Sequence, residues 1–345
     1  MKHKKYLTII AGFFSILPFI LWVQPFYSGF ISLFFLFISY SHQISRKRLF
    51  AYLVFISTII LTLLNISYQF YWYELITPLV LPIAFFITDF RDLKTEFFFK
   101  GVNIGFVIIS ILLCYDAISN NVFNDIVSSF VTDRNWGDEN PFFGNGTALI
   151  LTLYSFYFLT KKDYLKAVLV NSVAILTTSR IPLMFFVFIF IYILFDKRIS
   201  KWYKYFATLI LLVIIVFLYH YISSDEVLYS RLIKSSDREF IFNYSYPLFL
   251  DNIYTGFGPL KIPVYRHLHN SIFEILFRYG IFAFASYLFI MLLRNIRLEV
   301  NTLFLFAIVF LYSFTQINLH NINYIVLMSV LIKYLKDDSF NNKII

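Results

Sequence analysis

Apolar stretches of near-membrane length recur along this 345-residue chain, and short charged segments separate them at regular intervals. A hydrocarbon core about 30 Å thick requires roughly 17 to 25 apolar residues per helix, and the runs 6–23, 50–66 and 203–221 have that length. Because 59% of the residues are hydrophobic and only 14% are charged, no soluble domain of this size could bury the apolar surface. The sequence therefore predicts an all-α polytopic integral membrane protein with a single membrane domain over residues 1–345.

The pattern predicts about 12 transmembrane helices, with boundaries accurate to a few residues. They cover 6–23, 26–41, 49–66, 74–90, 101–118, 146–160, 163–178, 181–195, 203–221, 271–293, 299–318 and 321–336. Two long outer-face loops interrupt them: residues 119–145, and residues 222–270 between helices 9 and 10. In the second loop, residues 241–250 are too few to span a bilayer and too apolar to extend into water. We expect this segment to lie along the membrane surface or to re-enter it.

The distribution of basic residues predicts that both termini are cytoplasmic. With that orientation, 21 of the 29 Lys and Arg residues fall in cytoplasmic segments, in agreement with the positive-inside rule. The remaining eight are Arg134, Arg180, Arg231, Lys234, Arg238, Lys261, Arg266 and Arg278. The net charge of +9 is then explained by topology signals and by contacts with anionic lipid. We expect the lipid bilayer, and no nucleic acid, as a partner.

Arginines on the outer face are the first candidate site residues, because long loops on one face usually carry function. A guanidinium offers a planar fork that matches phosphate oxygens. The candidates are Arg134, Arg180, Arg238, Arg266 and Arg278. Arg180 follows three cap-forming residues and precedes Pro182, so that a helix N-terminus and a guanidinium would face the same anion. Each of two arginines also has an interpretation without a role in the site. In these interpretations, Arg180 extends its side chain to the outer lipid headgroups, and Arg134 is a solvated charge in its loop.

Histidines provide a second group of candidates where the long loop ends and the tenth helix begins, in the segment 266–274. Ser271 and Glu274 have the spacing of a capping box, which says nothing about His267 and His269. Their imidazoles can move a proton near neutral pH. A zinc site is disfavoured, because the His-x-His spacing has no third imidazole nearby.

Two further residue pairs have more than one interpretation. Glu274 and Arg278 lie four residues apart on one helical face, where they either form an ion pair or contribute to the site. Gly256 and Gly258 permit either the close approach of a ligand or a simple bend. No Walker loop, dinucleotide fingerprint or serine elbow is present, so nucleotide-driven chemistry is not indicated.

Taken together, these motifs resemble the O-antigen polymerase and O-antigen ligase superfamily, the membrane glycosyltransferases that build or transfer bacterial surface polysaccharide. Four blocks of residues carry the likeness. They are Arg134 with Gly137, Asn140-Pro141 and Asn145; Ser179-Arg180; Arg238 with Pro247 and Gly256-Phe257-Gly258; and His269-Asn270-Ser271 with Glu274 and Tyr279-Gly280-Ile281. One departure is Ile181-Pro182, because family members often have a small residue after Ser-Arg.

The resemblance implies a donor glycan carried on undecaprenyl diphosphate and transfer at the anomeric carbon, without a cofactor, a metal or a nucleotide sugar. Arg180 and Arg238 would neutralise the charge that develops on the leaving diphosphate. His269 would accept the proton of the attacking hydroxyl, with Glu274 as a less favoured base. The implied substrate-binding residues are Arg134, Gly256, Gly258, Arg266, His267, Asn270 and Arg278.

The implied function is polymerisation of lipid-linked repeat units into O-antigen or capsule on the outer face of the bacterial cytoplasmic membrane. One alternative is an O-antigen ligase that transfers the polymer to the lipid A core. Another is a transporter of polysaccharide or lipid-linked oligosaccharide, although the candidate residues lie near the outer face and not at mid-membrane depth. A chain-length regulator is a further partner that fits a polymerase.

Overall fold

The computed structural model describes residues 2–17, 28–64, 88–90, 92–119, 145–177, 179–195, 199–224, 237–258, 271–293 and 322–341. The described part is mostly helical. Its helices are α1 (Lys2–Ile16), α2 (Ser28–Ser39), α3 (Arg46–Leu64), α4 (Thr95–Ser119), α5 (Asn145–Thr160), α6 (Tyr164–Ile175), α7 (Arg180–Phe195), α8 (Lys201–Ser224), α9 (Asp237–Leu250), α10 (Ser271–Leu293) and α11 (Ile322–Asn341). Two short strands, β1 (His42–Ile44) and β2 (Thr88–Phe90), pair in antiparallel orientation.

Three of the described helices are long and apolar enough to cross a membrane: α3, α4 and the part of α10 from Phe273 to Ile290. Shorter apolar helices are Ser28–Ser39, Gly146–Thr160, Tyr164–Ile175, Pro182–Phe195 and Ile322–Leu335. The described helices therefore agree with the prediction of a helical membrane protein. The number of 12 spans and the position of the outer loops stay predictions, because 299–318 and most of 74–90 and 119–145 lie outside the described residues.

The chain divides into two compact units, one formed by residues 1–106 and 237–345 and the other by residues 107–236. The first unit contains α1 to α3, both strands, the start of α4, and α9 to α11. The second contains the rest of α4 and the helices α5 to α8. The single membrane domain that the sequence predicts is not tested by this division.

Within the first unit, α1 and the start of α4 touch backbone to backbone. A Cβ atom on Gly12 would lie 1.9 Å from the carbonyl oxygen of Phe98, and one on Gly101 would lie 1.8 Å from that of Ile9. Small residues at such crossings let membrane helices approach closely, which increases van der Waals contact. Any larger residue at either glycine would force the two helices apart.

Asn323, at the start of α11, joins three helices of the first unit through a fully buried side chain. Its Nδ2 contacts the carbonyl oxygens of Phe14, Ser15 and Leu17 at 3.0, 3.0 and 2.7 Å. Its Oδ1 accepts the N–H of Gly29 at 2.9 Å. One amide therefore satisfies terminal carbonyls of α1 and an N-terminal donor of α2, groups that a helix leaves without intrahelical partners.

The two-stranded ladder is an element that the sequence did not predict. Phe90 pairs with His42, and its buried ring packs edge-on against Phe37 of α2 at 5.2 Å between centroids. The prediction that residues 88–90 end the fourth helix is therefore wrong, because this segment combines a β-branched and an aromatic residue that favour strand pairing. The ladder joins two connections, before α3 and before α4, that the sequence assigns to the cytoplasmic face.

In the second unit, polar contacts join successive helices at their connections. Asp163 caps α6, since its Oδ1 accepts the N–H of Lys166 at 3.3 Å. The hydroxyl of Ser155 on α5 donates to the carbonyl of Ala167 on α6 at 2.6 Å. Lys204 of α8 donates to the carbonyl of Leu194 near the end of α7 at 2.7 Å, where a cation also complements the helix dipole.

Candidate functional site

The structure describes the predicted site residues to different extents. Five of them lie outside the described residues: Arg134, Arg266, His267, His269 and Asn270. Arg180 is the first residue of α7, in the second unit, and Arg238 lies in the first turn of α9, in the first unit. The helix start expected at Arg180 is thus confirmed, whereas the roles of Arg180, Arg238 and His269 in the reaction stay predictions.

Glu274 and Arg278 form the ion pair that the sequence allowed. Oε1 of Glu274 lies 3.0 Å from Nε of Arg278, and the two side chains are 5% and 6% exposed. Both belong to the first part of α10, which packs against α3. Removing one partner from such a pair leaves an uncompensated buried charge, which costs about 3–5 kcal/mol. A role for either residue in binding substrate or in proton transfer stays a prediction.

A break in α10 lies just beyond this pair, at Gly280, where φ is 80° and ψ is 177°. In an unbroken helix the N–H of Ile281 would bond to the carbonyl of Phe277. Here it donates to the carbonyl of Ile253 at 2.9 Å, while the carbonyl of Phe277 accepts from Phe257 at 3.0 Å. Residues 253–258, which we call the glycine segment, thus satisfy backbone groups that the break leaves open.

Glycine is required on both sides of this junction. A Cβ on Gly256 would lie 2.3 Å from the backbone carbonyl carbon and oxygen of Arg278, and a Cβ on Gly280 would lie 2.1 Å from the carbonyl oxygen of Tyr254. Both residues have positive φ, which side chains other than glycine rarely tolerate. Gly258 also has positive φ and donates its N–H to the carbonyl of Arg278 at 2.8 Å.

Two motif blocks that are separate in sequence, Gly256-Phe257-Gly258 and Tyr279-Gly280-Ile281, therefore meet in the structure. The group that lies close to Gly256 is the backbone of α10, a partner that neither interpretation of the sequence named. A role for Gly256 and Gly258 in binding substrate stays a prediction. The junction lies immediately before the residues 259–270, which include His269.

Aromatic packing fixes α9 against α10 next to the junction. The rings of Phe249 and Phe277 stack at 4.9 Å between centroids, and those of Phe242 and Phe277 lie 5.6 Å apart. The hydroxyl of Thr62, on α3, donates to the carbonyl of Thr255 in the glycine segment. The segment is therefore held by α3 and α10. Sequence reasoning missed Thr62, because a threonine inside an apolar run carries no signal of so distant a partner.

At the start of α7, in the second unit, the polar residue that sequence reasoning missed is Asn171 of α6. It is fully buried, and its Nδ2 donates to the carbonyl of Pro182 at 2.8 Å. Its Oδ1 has no hydrogen-bond partner within the described part of the chain. An amide in the middle of the apolar run 163–178 is a signal that could have identified it, because polar groups in membrane helices usually contact other helices.

The energetics of Asn171 do not explain its presence. An interhelical hydrogen bond in a membrane contributes about 0.6 kcal/mol on average, whereas a buried polar atom without a partner costs about 1–3 kcal/mol. By these magnitudes, an Oδ1 without a partner would cost more than the bond to Pro182 contributes, and none of the described residues bonds to it. We therefore expect an apolar side chain of similar size to stabilise the unit at least as well.

Comparison with known proteins bears on the part of the chain that carries most of these residues. No curated protein matches the chain at a significant level. Residues 165–288 match the model of the O-antigen ligase family. The matched segment begins in α6, contains Arg180, Arg238, His269 and Glu274, and ends in α10 beyond the break at Gly280. This match confirms that the chain resembles the O-antigen polymerase and O-antigen ligase superfamily.

Proposed function

We propose that this chain is a membrane glycosyltransferase that polymerises oligosaccharide repeat units, carried on undecaprenyl diphosphate, into surface polysaccharide. The observation that carries the proposal is the match of residues 165–288 to the O-antigen ligase family, in a chain whose helices include three suited to crossing a membrane. Glycosyl transfer of the ligase or polymerase type agrees with both. The product is O-antigen or capsule, assembled on the outer face of the bacterial cytoplasmic membrane.

In the proposed reaction, a hydroxyl of the acceptor repeat unit attacks the anomeric carbon of the donor glycan. The bond from that carbon to the diphosphate oxygen breaks, and undecaprenyl diphosphate leaves with the bonding electrons. Arg180 and Arg238 stabilise the negative charge on the leaving group, as fixed positive charges do in a site with little water. His269 accepts the proton of the attacking hydroxyl, a contribution typically about 10² to 10⁴ in rate.

The ion pair of Glu274 with Arg278 supports this division of roles. A carboxylate oxygen that contacts a guanidinium N–H group is already engaged in a charge-assisted hydrogen bond. Glu274 lies 3.0 Å from Arg278 and is almost fully buried. These observations favour His269 over Glu274 as the base, and they favour Glu274 as the residue that holds Arg278.

The proposed orientation places both termini in the cytoplasm. The β1–β2 ladder supports it, because it joins residues 42–44 to residues 88–90. Both segments adjoin basic connections that the positive-inside rule assigns to the cytoplasmic face. The outer face would then carry the polar loops 119–145 and 222–270, where a lipid-linked substrate is accessible.

An O-antigen ligase is the second candidate function, because the family that matches residues 165–288 is described by that activity. A ligase would use the same lipid-linked donor and the same leaving group but would transfer the polymer to the lipid A core. The two activities therefore share the proposed chemistry and differ in the acceptor. A measurement that distinguishes them must identify the product and its carrier.

The test is a gel separation of surface glycans from a deletion strain complemented with wild type, Arg180→Ala or His269→Ala at matched protein levels. Lys201→Ala, which removes an exposed basic residue at the start of α8, is the control and should restore the wild-type ladder. For a polymerase, the glycan stops at one repeat unit in the deletion strain and in both site variants. Long polymer that remains on its lipid carrier would indicate a ligase. An unchanged ladder in the deletion strain would contradict both functions.

A further inference from the structure

Asn171 joins α6 to the one turn of α7 that begins with Arg180. Its Nδ2 donates to the carbonyl of Pro182 at 2.8 Å, and Pro182 follows Arg180 by two residues in that turn. Because a carbonyl oxygen only accepts hydrogen bonds, the nitrogen of the amide must face Pro182 and its oxygen must face away. The bond therefore fixes both the orientation of the amide and the position of the first turn relative to α6.

Stability does not account for an amide at this position. Asn171 is fully buried, and the structure shows no partner for its Oδ1 among the described residues. The neighbouring helix α5 is joined to α6 by another buried polar contact, from Ser155 to the carbonyl of Ala167 at 2.6 Å. That contact leaves no amide oxygen without a partner. The hydrogen bond from Asn171 to Pro182 therefore comes with a buried Oδ1 that none of the described residues contacts, a cost that the bond from Ser155 to Ala167 avoids.

We propose that Asn171 is a positioning residue of the donor site, which holds the first turn of α7 so that Arg180 faces the lipid diphosphate. This inference rests on the proposed function, in which Arg180 stabilises the leaving diphosphate. A displacement of about 1 Å at a reacting group can lower a rate by about 10², so a single hydrogen bond to the turn suffices to matter.

The experiment measures binding of undecaprenyl diphosphate to the purified full-length protein in lipid nanodiscs. The variants are Asn171→Leu, Arg180→Ala and the double variant. Asn171→Leu should weaken binding by about tenfold in the presence of Arg180, the scale of coupling between residues that act together. In the Arg180→Ala background the same change should have no further effect, because a positioning residue acts only through the residue that it positions.

The matched control is Ser155→Ala, which removes the other buried interhelical contact of α6 and should leave the binding constant unchanged. Thermal unfolding is measured for each variant, and Asn171→Leu should unfold at or above the wild-type temperature. If Asn171→Leu does not fold, Asn171→Ala takes its place in the same double-variant cycle. A purely structural role would lower the unfolding temperature and weaken binding equally in both backgrounds.

The outcomes separate this inference from the proposed function. The inference is supported if the wild type binds undecaprenyl diphosphate and Asn171→Leu weakens this binding only when Arg180 is present. Binding that Asn171→Leu leaves unchanged, or weakens equally without Arg180, overturns the inference and leaves the proposed function standing. If the wild type does not bind undecaprenyl diphosphate, the proposed donor is wrong and the inference is overturned with it.

Discussion

At the residue scale, the positions that organise this protein are buried polar side chains and glycines with distant partners. Asn323 links α11 to α1 and α2 across about 300 residues of sequence, and Gly280 contacts the backbone of Tyr254. A sequence does not specify what such residues contact. This is why Gly256 and Gly258 had two interpretations before their partner in α10 was known.

The buried pair of Glu274 and Arg278 makes a prediction about stability and activity together. Glu274→Gln should lower the free energy of unfolding by about 3–5 kcal/mol, because it leaves the charge of Arg278 buried without compensation. The double variant Glu274→Gln with Arg278→Met removes both charges, so that it should regain most of that stability. If Arg278 also binds substrate, this double variant should fold and yet fail to restore the glycan ladder. Thermal unfolding of the solubilised protein and the gel assay measure the two effects. Wild-type stability for Glu274→Gln would contradict the ion pair.

At the element scale, hydropathy predicts where helices occur but not where they break. The run 271–293 is predicted as one helix, and α10 has those bounds, yet its backbone is non-helical at Gly280. A broken helix remains apolar along its whole length, so its hydropathy is the same as that of a straight one. The contacts that compensate for the break come from the glycine segment, which lies 22 to 27 residues earlier in the chain.

Gly280→Ala tests the junction between α10 and the glycine segment. The new methyl group would meet the carbonyl oxygen of Tyr254 at 2.1 Å, with φ at 80°, and a strained backbone of this kind costs about 1–3 kcal/mol. We expect a lower unfolding temperature and a loss of the glycan ladder. Gly146→Ala, in the first turn of the helix α5, is the control and should be neutral or stabilising. An unaltered unfolding temperature for Gly280→Ala would show that the junction tolerates a side chain.

The N-cap of α6 makes a prediction about pH. A hydrogen bond from the side chain of Lys166 holds the pKa of Asp163 below its ordinary value. Asp163 therefore stabilises the folded state fully above about pH 4, the range of an ordinary aspartate pKa, and loses this effect as the pH falls through its lowered folded-state pKa. Asp163→Ala should destabilise the protein by about 0.5–2 kcal/mol at neutral pH. Thermal unfolding of the wild type and of Asp163→Ala from pH 7 to pH 3 should show that the difference between their unfolding temperatures shrinks below pH 4. A difference that stays constant over this range would contradict the stabilising role of the ionised Asp163.

At the scale of the whole molecule, the sequence predicted a helical membrane protein that resembles the O-antigen polymerase and O-antigen ligase superfamily. The apolar helices agree with the first prediction, and the match of residues 165–288 to the O-antigen ligase family confirms the resemblance. Composition and repeated apolar runs are sufficient for the first, since a bilayer admits few architectures. The short β1–β2 ladder was not predicted, because each strand has only three residues and the two are more than 40 residues apart. Whether such short strands pair depends on whether the connections that contain them lie on the same side of the membrane.

The ladder also makes a prediction about topology. Gln43 lies in β1, opposite Asp89 of β2, and the proposed orientation places both strands on the cytoplasmic face. A single cysteine at Gln43, in a Cys114→Ser background, should react with an impermeant maleimide only after the membrane is opened. A cysteine at Arg134 should react in intact cells whose outer layers admit the reagent. The opposite pattern would invert the orientation and move the proposed site to the cytoplasm.

The proposed reaction transfers a glycan from undecaprenyl diphosphate to a second lipid-linked repeat unit. The most direct measurement uses the purified protein in liposomes that contain the lipid-linked repeat unit, with mass analysis of the products. We expect glycans lengthened by whole repeats, with one undecaprenyl diphosphate released for each bond formed, and loss of both products in Arg180→Ala. Movement of the intact substrate across the bilayer without release of undecaprenyl diphosphate would overturn the proposed reaction and indicate a transporter.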